Sequence, residues 1–171
     1  MRFERLLLIV AAIALAWYGR WLYRNLSYAA GGPDSGGYMN EAQLIASGHV
    51  TEPVPLVREL GLDDSWLGYF MPLGFAPSPH ASMHPLYPPG LPMHLAAAGS
   101  IGGWKRAPFL VAPLAALGCV ILVIAVARLL GVPLLLSFAG AFAVAALPPF
   151  LWHAEQPASD VVAMFWALVA S

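Results

Sequence analysis

Apolar and polar positions divide the chain into four apolar runs and one long mixed stretch. Leu6 to Tyr23 is apolar apart from Arg20, which is long enough for a helix across a hydrocarbon core of roughly 30 Å. Ala107 to Leu130 and Pro133 to Trp152 read as two further crossings, joined by the tight turn Leu130-Gly131-Val132-Pro133 beside Arg128. Val161 to Ser171 opens a fourth apolar helix that stops in midstream, so the pattern predicts more helix beyond it. Met93 to Trp104 is rich in Ala and Gly, carries His94 and Ser100, and is short for a crossing, which predicts a juxtamembrane or part-inserted helix. The fold class expected is therefore all-α. The whole chain, 1 to 171, reads as the amino-terminal part of one polytopic membrane domain, whose long extracytoplasmic first loop, about 25 to 106, carries juxtamembrane helices.

The amino terminus also fits a signal peptide, with Met1-Arg2-Phe3-Glu4-Arg5 ahead of an apolar run and Ala14-Leu15-Ala16 as a small-residue cleavage site. Apolar character continues through Trp21, Leu22, Tyr23 and Leu26, and the stems of Arg20 and Arg24 can snorkel beside Trp17, Tyr18, Trp21 and Tyr23. That favours an uncleaved helix. Arg2 and Arg5 then place the amino terminus in the cytoplasm and the loop that follows outside. Counting inward and outward crossings from there brings His153, Glu155 and Asp160 to the same outer side as Asp34. A full crossing by Met93 to Trp104 would put Glu155 and Asp160 on the inner side instead.

Composition agrees with the membrane reading: 60% of the residues are hydrophobic and 10% are charged, against roughly 25% charged in an average soluble domain. The net charge of −1 leaves no basic stripe to neutralise phosphates, which argues against nucleic acid as a partner. The one cysteine, Cys119, lies in an apolar run and reads as a small core or lipid-facing residue. Most of the acids fall in the long loop: Asp34, Glu41, Glu52, Glu59, Asp63 and Asp64. From Thr51 to Pro85 the loop mixes turn residues with Trp66, Tyr69, Phe70 and Phe75, which predicts ordered chain pressed against a groove or an interface.

Asp34 stands in Gly32-Pro33-Asp34-Ser35-Gly36-Gly37-Tyr38, just after the first helix. Either Asp34 or Ser35 is expected to cap a short helix closed by Gly48, with Tyr38, Ala42 and Ile45 on one face and Glu41 and Gln43 elsewhere. Asp160, with Ser159, is similarly placed to cap the last helix. Capping alone would account for both acids. Ionisable groups at membrane depth are also costly and point to function by default.

The order of motifs adds to this. The pattern Pro-Asp-x-x-x-Tyr-x-x-x-Ala-x-x-(Ile/Leu)-x-x-Gly-(His/Asp) follows one transmembrane helix, and a Tyr-Pro-Pro-Gly-x-Pro stretch then leads a short apolar run. An Arg-Leu-Leu-Gly turn and an acid before another apolar helix complete the series, which resembles polyprenyl-phosphate-dependent membrane glycosyltransferases of the GT-C type. The nearest in kind are the dolichyl-phosphate-mannose-protein mannosyltransferase-like proteins and the lipid A aminoarabinose transferase. The resemblance implies that Asp34 is the catalytic base of an inverting transfer and that Tyr38, one helical turn on, reaches a sugar or phosphate. It implies that Asp160 helps hold a substrate or, with Asp34, a divalent metal ion, and that Glu155, His84 and Tyr87 contribute to substrate binding. The partners implied are a polyprenyl-phosphate-linked sugar, a lipid or protein acceptor and membrane lipids; the place implied is the cytoplasmic membrane, crossed several times.

Departures from the family pattern fall at Ser35, where many members have a second acid, and at Gly37, where many have a basic residue. A phosphate leaving group still requires a cation. Within the chain Arg58, Lys105, Arg106 and protonated His80 or His84 are available, and a divalent metal ion or sequence further on are the other sources. Two rival readings come from other residues. His80, Met83, His84, Met93 and His94, with Met71, are donors that suit copper. Transport would have the acids line a path, yet Ala107 to Phe150 carries only Arg128, Ser137 and Cys119 beyond apolar residues, Gly and Pro.

Overall fold

A computed structural model describes residues 2 to 171, with side chains from Glu4 onward, so the side chain of Arg2, on which the expected orientation partly rests, lies outside the described residues. The elements in chain order are α1 (Arg2–Asn25), α2 (Pro33–Ala46), β1 (Glu52–Pro53), α3 (Pro55–Glu59), β2 (Phe75–Ser78), β3 (Ser82–Pro85), α4 (Gly90–Gly102), α5 (Val111–Leu129), α6 (Leu134–Ala145), α7 (Pro148–Ala154) and α8 (Ser159–Val169). Short 3-10 turns cover Asp64–Phe70 and Ala107–Leu110. The chain is mostly helical and divides into two compact units: Met1–Tyr28 with Phe109–Ser171, and Ala29–Pro108.

Glu4–Asn25 and Ala107–Leu129, which fall in the first unit but for Ala107 and Pro108, are long and apolar enough to cross a membrane. Only 11% of the apolar window in the first is buried, against 33% in the second, so α1 offers Leu6, Ile9, Ile13 and Trp17 outward while α5 packs on both α6 and α8. A core of Tyr18, Leu22, Ala116, Cys119, Val120, Ala141, Ala145 and Val161 joins these helices. The close approach of α5 to α8 depends on Gly118, where a side chain would stand 2.6 Å from the Phe165 ring. Cys119 belongs to the core and is 3.6 Å from the Val161 carbonyl. Gly131, with φ +80°, makes the expected turn after α5, and Arg128 donates to the Val132 carbonyl at 2.7 Å.

The expected single crossing from Pro133 to Trp152 is instead broken: α6 and α7 meet at 68°. Pro148 drives Leu147 into extended backbone (φ −65°, ψ 129°), which ends α6. Pro149 has no N–H for the Ala145 carbonyl four residues back, and the Tyr18 hydroxyl donates to that carbonyl instead, at 3.1 Å and within the core. Replacing Tyr18 by Phe will leave the carbonyl unpaired in apolar surroundings and will cost about 1 kcal/mol of unfolding free energy in bilayer or detergent. Unchanged stability in that variant would mean the hydroxyl is dispensable there. The fourth run is α8, 11 residues long and starting at Ser159.

The second unit departs from the all-α expectation. Between α2 and α4 a three-stranded antiparallel sheet forms in the order β1-β3-β2, pairing Glu52 with Met83 and Phe75 with Pro85 at its ends. Val54, Val57, Leu67 and Ala81 make a small core beneath it, joined by Phe70, Met71 and Met83. The β2-β3 turn carries two residues with positive φ, His80 at 65° and Ala81 at 52°. Two hydrogen bonds hold that turn: Arg58 donates to the His80 carbonyl and the Val54 N–H to the Ala81 carbonyl, both at 2.7 Å. The run expected at Met93 to Trp104 is α4, which begins earlier, at Gly90, because Pro92 in its first turn needs no N–H partner. At 13 residues α4 spans about 20 Å, too short to cross a bilayer.

Candidate functional site

Helix α2 enters through Gly32, whose φ of 92° suits glycine, and Pro33 takes the first helical position. No side chain caps it. Asp34 is therefore not the cap that the sequence predicts but an exposed first-turn residue, and Ser35 is buried in the helix rather than capping it. At the other end Gly48, with φ +80°, closes α2 as expected.

What Asp34 does is accept a hydrogen bond from the Tyr87 hydroxyl, Oδ1 to Oη 2.8 Å. The spacing of α2 explains why. Asp34, Tyr38 and Glu41 stand at i, i+4 and i+7 and so share one helical face. That face meets the Leu86-Tyr87 turn after β3. The rings of Tyr38 and Tyr87 lie 4.7 Å apart at 41°. Gly37, on the same side, touches the backbone of Gly74, and a Cβ at position 37 would be 2.9 Å from the Gly74 Cα. No side chain larger than hydrogen fits at position 37 without displacing that backbone.

The sequence pattern sets Glu41 on a different face from Tyr38, and the structure corrects that. It is fully buried, and its Oε1 accepts from the N–H groups of Leu86 and Tyr87 at 2.8 Å each. Its Oε2 is buried without a hydrogen-bond partner. Burial raises the carboxyl above the usual glutamate value, and the two N–H bonds pull it back in part. The Tyr87 phenol is raised chiefly because its proton is engaged by Asp34. A signal for Glu41 existed in the i+7 spacing from Asp34. Nothing in the sequence marked Gly74 as the partner of Gly37.

His84 is not drawn into this group by any described contact; it stands exposed on β3 opposite Ala76. The copper donors are not gathered either. Met83 turns into the small core while its neighbour His84 is exposed, and the His94 Nδ1 is engaged with the Gly90 carbonyl at 2.7 Å. Arg58, a candidate cation, is committed to the His80 carbonyl.

In the other unit, Asp160 occupies the second position of α8, behind an extended Ala158 that supplies no side-chain cap. Here too the expected cap is absent. His153 Nδ1 lies 3.2 Å from Asp160 Oδ2 without hydrogen-bond geometry, an ion pair when the imidazole is protonated. Glu155 ends α7, and burial raises its carboxyl.

Comparisons with protein-family models, curated proteins and solved structures found no match.

The chemistry of the Asp34 group follows from its parts. Asp34 is exposed, and the Tyr87 hydroxyl on its Oδ1 fixes the carboxylate's orientation. A fixed, solvent-reachable carboxylate is suited to take a proton. The fit to a metal is poor: among the described residues no three His, Cys, Asp or Glu side chains come together, and Oε1 of Glu41 is turned to backbone N–H groups. No step below runs through a metal.

Proposed function

We propose that this chain is part of a polyprenyl-phosphate-dependent membrane glycosyltransferase of the GT-C type, with Asp34 as general base. An acceptor hydroxyl gives its proton to Asp34 Oδ2 as its oxygen attacks the anomeric carbon. The bond from that carbon to the phosphate oxygen breaks, and the polyprenyl phosphate leaves with the electron pair. Tyr87 and Tyr38 orient the acid and the sugar. In this reading α1, α5, the bent α6 and α7, and α8 form a multi-pass domain in the cytoplasmic membrane with the amino terminus inside, and residues 29–108 face outward.

The observation that supports it most directly is an exposed carboxylate with one oxygen held by a tyrosine hydroxyl, in the motif order the resemblance requires. The test is label transfer in sealed vesicles carrying the protein, given polyprenyl phosphates linked to radiolabelled hexoses and pentoses. Labelled lipid or protein is expected when the donor is presented to the outer face. Absence of product across the whole donor panel would defeat the reading.

A further inference from the structure

We infer that Glu41 is the positioning residue of the Asp34 group: its buried carboxylate clamps the backbone of Leu86 and Tyr87 and thereby sets the Tyr87 hydroxyl on Asp34. The inference rests on the sugar-transfer reading only for what the group is used for; the clamp itself stands on geometry.

Three facts carry it. The segment from Pro85 to Pro89 reads Pro-Leu-Tyr-Pro-Pro, so Leu86 and Tyr87 hold its only backbone N–H groups, and Glu41 Oε1 accepts from both. The Tyr87 N–H has no other described acceptor, whereas that of Leu86 is shared with the Gly74 carbonyl at 2.8 Å. Second, Glu41 and Asp34 are two turns apart on one rigid face, about 10.5 Å along the axis. Tyr87 lies along that interval, its backbone held at one end, its hydroxyl at the other, and its ring against Tyr38. Moving the backbone end moves the hydroxyl.

Third, the arrangement is costly for a mere strut. A fully buried carboxyl with one oxygen unpartnered costs free energy that an apolar side chain would avoid. What the acid provides is one oxygen able to take two convergent N–H groups. Prolines on both sides limit the turn's own freedom, so a single fixed point suffices to orient the tyrosine.

The experiment uses the intact protein in detergent, labelled with carbon-13 at the tyrosine Cζ, with the Tyr87 signal identified by its loss in Tyr87→Phe. In the parent, Tyr87 should titrate above the ordinary tyrosine value of 10.0. Glu41→Met fills the volume without an acceptor, and Tyr87 should then titrate at the ordinary value; Glu41→Gln keeps an acceptor oxygen, and the raised titration should return. Circular dichroism establishes folding in each. A folded Glu41→Met protein with the parent's Tyr87 titration overturns the clamp. So does a folded Glu41→Gln protein whose Tyr87 has become ordinary, and this second variant decides the matter if Glu41→Met does not fold. In the transfer assay Glu41→Met should lower kcat roughly tenfold or more with little change in KM, and Glu41→Gln should restore it. An inactive parent counts against the sugar-transfer reading, while the titration still decides the clamp.

Discussion

Asp34→Asn will abolish nearly all transfer, a fall of roughly two orders of magnitude or more, while expression and thermal stability hold. Asparagine keeps the shape of the side chain and an oxygen that accepts from the Tyr87 hydroxyl, so the contact with the turn after β3 survives. What disappears is the proton affinity. Because α2 is capped by no side chain, Asp34→Ala should also remain folded and should match Asp34→Asn in activity. Near-normal turnover of Asp34→Asn on an identified polyprenyl-phosphate sugar would remove Asp34 from the chemistry and pass the role to another acid.

Gly37→Ala is expected to destabilise the second unit strongly. The added methyl would stand 2.9 Å from the Gly74 Cα and 3.0 Å from its nitrogen, and it would also meet the Tyr87 ring. Backbone cannot move aside as a flexible side chain can, so the loss should be about 1–3 kcal/mol by overpacking, with activity falling as Tyr87 is displaced. Gly68→Ala is the control, since nothing lies within 4 Å of a Cβ there. Thermal unfolding of the two variants side by side decides it: equal midpoints would mean that α2 and the Gly74 turn are not in the contact described.

The helices were legible because their signals are local. Apolar length gave α1 and α5, Gly131 and Pro133 gave the turn between α5 and α6, and Gly48 gave the end of α2. Pairings distant in sequence were not legible. The sheet hides in strands of two to four residues that contain Pro53, Pro77 and Pro85, residues that argue against strands unless an edge or an end excuses them. The break before Pro148 was visible as Pro148-Pro149, yet the apolar run across it reads as one span when only hydropathy is weighed. In the candidate group, Asp34 and Tyr38 were marked by their motif. That Tyr87 would be their partner depends on tertiary contact, and that Glu41 would be buried runs against the usual fate of glutamate. Both acids expected as caps lie at the second position of their helices, because Pro33 and Ser159 already occupy the first.

The hydroxyl of Tyr18 on the carbonyl that Pro149 leaves bare makes the first helix more than an anchor. A foreign signal-anchor of equal hydropathy would insert as well and thread the rest of the chain with the same polarity. It would nonetheless leave the broken helix with an unpaired carbonyl inside the core. The two ends of that device sit in different helices and so emerge from the ribosome at different times. That bond therefore forms only after α1 and α6 have met, by which time the chain of 127 positions between its two ends has been made.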